Sequence, residues 1–126
     1  MRDTHPELPV IQRAYDFTLW LVPVLNRWPR DHKFALGDRM VQGAYDLLEG
    51  LVGCRYLKDK ERRLVALNGL LDRLRYQIRL AHDFHLFDAG RYAFAVQSLN
   101  AIGGELGNWM KQQARKGAVQ REGGQP

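Results

Sequence analysis

The chain is poor in the residues that carry most recognisable chemistry. It has one cysteine, Cys54, which excludes an intrachain disulfide framework and a multi-cysteine zinc site. Ser98 is its only serine and has no histidine close in sequence, so no serine nucleophile with a neighbouring base is visible. Gly103-Gly104-Glu105-Leu106-Gly107 lacks the Lys-Ser/Thr that completes a phosphate-cradling loop. No pair of Glu-x-x-His motifs is present, which excludes a di-iron bundle. No apolar run approaches the roughly 18 to 20 residues of a membrane span. Met1 to Glu7 contain no apolar segment of the secretory kind, so the expected setting is the cytoplasm, with no membrane partner. The residues point to a protein that is not an enzyme and uses no metal or cofactor.

Strand-like alternation is also missing, as are hairpin dipeptides between apolar runs. Apolar residues still make up 45% of the 126, enough for one globular core. Their spacing is helical throughout. It predicts helix A over 8–28, B over 35–57, C over 60–83 and D over 88–114. Short connections between them give an all-α, antiparallel up-down four-helix bundle over 8–114. Residues 1–7 read as an N-terminal extension and 115–126 as a flexible C-terminal tail.

Helix C has the cleanest seam. Leu64, Leu67, Leu71, Leu74, Ile78 and Ala81 follow a 3-4-3-4-3 spacing. Helix A buries Val10, Ala14, Phe17, Leu21, Val24 and Trp28, with a kink expected at Pro23 and a stop at Pro29. Helix B buries Met40, Ala44, Leu47, Leu51 and Cys54, and Cys54 reads as a small buried hydrophobe. Helix D buries Tyr92, Val96, Leu99, Ile102 or Gly103, Leu106 and Met110. Asp59 and Asp88 are the expected caps of helices C and D. Seven glycines fall inside helices: Gly43, Gly50, Gly53, Gly69, Gly103, Gly104 and Gly107. Each costs about 1 kcal/mol against alanine, so tight helix–helix contacts are expected, within one chain or between copies.

Charge is the most informative property. Nineteen cations face fourteen anions, and fourteen of the cations are arginine. Residues 55–79 hold eight cations, Arg55, Lys58, Lys60, Arg62, Arg63, Arg73, Arg75 and Arg79, against three anions. The rest of the chain is balanced. A concentrated, arginine-rich surface fits an anionic partner, RNA first and DNA second. The plainer alternative is a solvated helix face. Only Tyr56 and Tyr76 lie inside this segment, and helical aromatics are more often core than base-stacking platforms. Without such a platform, binding would follow backbone charge with little sequence preference. His82-x-x-His85 is the nearest approach to a metal pair, but it falls where helix C ends, a position that suits histidine for its own sake.

Four segments carry a family resemblance. They are Trp28-Pro29-Arg30-Asp31-His32-Lys33-Phe34-Ala35-Leu36-Gly37-Asp38-Arg39, the turn Arg55-Tyr56-Leu57-Lys58-Asp59-Lys60, Leu71 to Ala81, and Ile102 to Lys111. With them, about residues 10 to 116 resemble the accessory variability determinants of diversity-generating retroelements. The resemblance implies a bundle that assembles as a homopentamer. It implies binding to a reverse transcriptase and its template RNA in support of mutagenic retrohoming. It also implies a capped start to helix B at position 35; Ala35 cannot cap, which passes that role to Asp31 or Asp38. The four-helix proteins encoded in ribosomal RNA intervening sequences are a second similar family, with an interaction role and no nucleic-acid partner. Their usual helix-B motif is absent here, where the chain reads Met40-Val41-Gln42-Gly43-Ala44-Tyr45.

Overall fold

The computed structural model describes residues 8–123, so the extension expected at 1–7 lies outside the described residues. Helix α1 runs Pro9–Leu25, a short helical turn α2 runs Arg30–His32, and a wide π-helical turn follows at Lys33–Gly37. Helix α3 is Asp38–Cys54, α4 is Glu61–Asp83 and α5 is Ala89–Gly123. Among the described residues there is no strand. The four long helices close a square in which α1 packs on α3, α3 on α4, α4 on α5 and α5 on α1. Contacts between neighbours pair early residues with late ones. Gly50 meets Leu67 and Gly43 meets Leu74, while Arg13 approaches Glu105 and Trp20 approaches Phe94. All neighbours are therefore antiparallel.

The core forms where the apolar spacing placed it. All six seam residues of α4 are buried, as are Met40, Ala44, Leu47, Leu51 and Cys54 of α3. Thr18, buried among them, satisfies its hydroxyl by donating to the Ala14 carbonyl at 2.8 Å. α5 differs. Its buried face is Ala95, Leu99, Ile102, Leu106 and Trp109, whereas Tyr92, Val96 and Met110 are only half-buried. Phe87, in the turn before α5, also joins the core.

Helix ends depart from expectation for local reasons. α1 stops at Leu25, and tighter turn bonds carry the chain to Trp28 (Arg27 N–H to Val24 at 3.2 Å, Trp28 N–H to Leu25 at 3.1 Å). Pro23 stays inside the helix. It cannot donate to the Leu19 carbonyl, but both residues are exposed and water can serve. Neither Asp31 nor Asp38 caps anything. Helical structure starts at Arg30 and runs unbroken through the π turn into α3, so no free N–H groups exist near position 35 to be capped. Gly37 makes that passage possible: it is buried, and a β-carbon there would sit 3.3 Å from the His32 carbonyl oxygen and 3.5 Å from the Trp28 ring. Asp88 caps α5 as expected, accepting from the Arg91 N–H at 2.7 Å. α4 instead has Lys60 at its cap position with no side-chain cap bond, and Asp59, one residue earlier, accepts from the Glu61 N–H at 3.3 Å. α5 continues past 114 to Gly123, because nothing after 114 breaks a helix and Gly117 alone is tolerated.

The end of α4 is a Schellman motif built on a non-glycine residue. Leu86 N–H bonds the Ala81 carbonyl at 2.8 Å and His85 N–H bonds the His82 carbonyl at 2.9 Å. His85 takes φ 62° to do so. A side chain in that region costs roughly 1 kcal/mol or more. His85→Gly is therefore expected to stabilise the protein by about 1 kcal/mol, measured by urea unfolding with an unchanged m-value.

Candidate nucleic-acid interface

The eight cations of 55–79 do not form one patch. The structure divides them by what each already holds. Lys60 folds back onto the end of α3, where its ammonium donates to the Arg55 carbonyl at 3.4 Å and to the Leu57 carbonyl. It closes the α3–α4 turn and offsets the carbonyl end of the helix dipole. Arg75 is bound to Asp72 at 2.7 Å, one turn earlier. Its guanidinium also lies across Gly103 of α5, where a β-carbon would come within 2.3 Å of it. Gly103 is thus the residue that lets an arginine cross the α4–α5 contact. Arg55 lies over the Tyr56 ring at 5.7 Å.

Arg62, Arg63, Arg73, Arg79 and Lys58 are different. All five are exposed, and none has an ion-pair partner among the described residues. At about 100° per residue, Arg62 and Arg73 lie on nearly one line facing away from the seam. Arg79 lies about 110° around from that line toward α5 and Arg63 about 90° the other way toward α3, so the α4 cations spread over roughly 200° of the helix. From Arg62 to Arg79 the helix rises about 25 Å, a length that several successive phosphates can follow.

The structure adds one cation from the end of the expected helix D, Lys111, and three from the stretch expected as a tail. Because α5 runs on to Gly123, Lys111, Arg115, Lys116 and Arg121 stand exposed on a helix beside the start of α4. Lys58, Lys116 and Arg121 line a cleft of about 560 Å³ there, with Asp59, Glu61, Gln113 and Gln120. A β-carbon on Gly117 would sit 3.1 Å from Glu61 and 3.3 Å from Arg121, so this end is closely packed. The α3–α4 turn end of the bundle is therefore its most basic end.

Exposed aromatics accompany these cations. Tyr56 is 78% exposed and Tyr76 68% exposed. Neither is core, so both are available for stacking. The remaining candidates have structural roles. Cys54 is fully buried, and burial raises its thiol pKa, against the smaller opposing pull of Lys60 and Arg63. His82 stacks on Tyr92 with ring centres 3.9 Å apart, while His85 forms the helix stop. Among the described residues, no group of three or more His, Cys, Asp or Glu side chains is placed to hold a metal ion. Among the same residues, no helix is long and apolar enough to cross a membrane.

Residues 9–113 match the family model described as bAvd-like. The chain belongs to the bAvd-like family. The match spans all four helices and agrees with the resemblance to accessory variability determinants carried by the α1–α3 junction, the α3–α4 turn, α4 and α5. No curated protein matches the chain. For a bAvd-like protein the coarse reading is an accessory protein of a diversity-generating retroelement.

Proposed function

We propose that the protein is a non-catalytic subunit that holds template RNA against the reverse transcriptase of a diversity-generating retroelement. The observation that carries this reading is the set of five exposed cations, Lys58, Arg62, Arg63, Arg73 and Arg79, without ion-pair partners among the described residues, on and before one helix of a bAvd-like bundle. Lys111, Arg115, Lys116 and Arg121 extend it around the basic end. Lys60 and Arg75 support it from behind, one closing the turn and one bridging to α5. DNA offers the same phosphates and is the competing ligand. The work takes place in the cytoplasm.

The subunit assembles as a homopentamer. Four helix glycines support self-association: Gly53, Gly69, Gly104 and Gly107 would each point a β-carbon into open space. Packing within one chain does not account for them, and close approach of another copy does. Gly43, Gly50 and Gly103, by contrast, are used inside the chain, against Leu74, Leu67 and Arg75.

One observation favours a second reading, a protein-interaction module with no nucleic-acid role. An apolar cleft of about 340 Å³ lies between α1 and α3, lined by Tyr15, Thr18, Leu19, Val22, Pro23, Tyr45 and Leu48. Titration of labelled single-stranded RNA at several salt concentrations separates the two. Five phosphate contacts per copy give a slope of log K against log salt of about −3.5. A flat, weak response sinks the RNA reading and leaves the interaction module. Light scattering should give five times the 14.6 kDa chain mass; a monomer overturns the assembly.

A further inference from the structure

We infer that the π turn at the α1–α3 junction is a second contact for nucleic acid, one that stacks an unpaired base. This rests on the RNA reading above but concerns the opposite end of the bundle from the basic turn. The turn Lys33–Gly37 widens an otherwise continuous helix, and such insertions gather at functional sites. Here it carries Phe34 at the surface, 59% exposed. Two cations attend the ring: Arg30 lies 5.9 Å and Lys33 5.3 Å from its centre. Neither has an ion-pair partner among the described residues, although Asp31 and Asp38 are neighbours in sequence. A second aromatic stands close by. Phe84, at the end of α4, is 52% exposed and lies against the His32 ring at 5.4 Å.

Phe34 and Phe84 both stand at the surface, and neither ring contributes to the core. An aromatic face with flanking ammonium and guanidinium groups matches what a nucleotide offers: a planar base for the ring and a phosphate for the cations. The chemistry selects single strands. In a duplex the base faces are already stacked on one another and only phosphates remain to be held. A strand following α4 from the basic end toward Arg79 would arrive at this end of the bundle, where α4 stops at Asp83 next to Phe84.

The test compares a single-stranded 12-mer of uridylate with a blunt RNA duplex of equal length, by fluorescence anisotropy at fixed salt. Phe34→Leu keeps an apolar side chain and removes the aromatic face, and its exposure spares the fold. It should lower single-strand affinity at least fivefold and leave duplex affinity within twofold. Phe34→Tyr restores the ring and should restore the affinity. Arg30→Ala with Lys33→Ala should weaken both ligands. Unchanged single-strand binding in Phe34→Leu overturns the inference while the basic surface stands. Loss of polymerase association in Phe34→Leu with RNA binding intact makes the turn a protein contact and overturns it too. If the parent protein binds neither RNA, the RNA reading fails first.

Discussion

Reversing two charges, Arg73→Glu with Arg79→Glu, is expected to cut RNA affinity at least about a hundredfold near 0.1 M salt. Each change removes one phosphate partner and places a carboxylate beside the remaining phosphates, together about 4 kcal/mol at roughly 1 kcal/mol per event. That upper figure would be nearly a thousandfold, and screening by salt lowers it. The fold should be untouched, since both arginines are exposed and unpaired among the described residues. Circular dichroism and the unfolding midpoint check that point. Arg13→Ala supplies the control. It removes a cation of α1 that approaches Glu105 at 3.8 Å, away from α4, and should change affinity less than about twofold. Full binding by the double variant would move the contact surface off α4.

Leu71→Ala is expected to destabilise the bundle by about 3 kcal/mol and to lower its melting temperature by about 12 °C. Leu71 is fully buried at the middle of the α4 seam. Its side chain reaches α5, lying 3.5 Å from where a β-carbon on Gly103 would stand. Truncation opens a cavity at the α4–α5 contact, and the Arg75 arm crossing Gly103 hinders collapse into it. Calorimetry checks the size of the effect. A loss below about 1 kcal/mol would mean that the two helices close over the gap, and that the Gly103 contact is looser than it stands here.

The core was legible because its period is strong. Six residues of α4 follow one heptad-like seam, and a repeat of that length leaves few other faces to bury. α5 was harder. Ala95 gives little hydropathy contrast, and the apolar positions of α5 spread over a wide arc in which Tyr92, Val96 and Trp109 compete. The π turn left no trace in the pattern, because one extra residue shifts the register by about 100° without changing composition. Phe34 itself falls in the connection expected between helices A and B, where nothing in the sequence sets it apart.

The basic surface was legible in outline and not in detail. Net charge located α4. It could not say that Lys60 would turn back onto carbonyls, because that depends on how the α3–α4 turn closes. The pairing of Asp72 with Arg75 has the i, i+3 spacing that favours it, so it lay within reach of the sequence. Arg115, Lys116 and Arg121 escape a sequence reading because a glycine-rich ending reads as tail. Yet Ala114, Ala118 and Val119 sustain the helix. Tyr56 and Tyr76 are exposed because their positions fall outside both buried stripes.

An even number of antiparallel helices sends Leu8 and Gly123 out at the same pole as the α3–α4 turn. A purification tag or reporter joined before the first or after the last helix therefore starts from the pole that holds the cationic cleft. Cutting the chain between α4 and α5 and linking the old ends would swap the poles. Such a circular permutant would carry its label beside Phe84 and leave the cleft open.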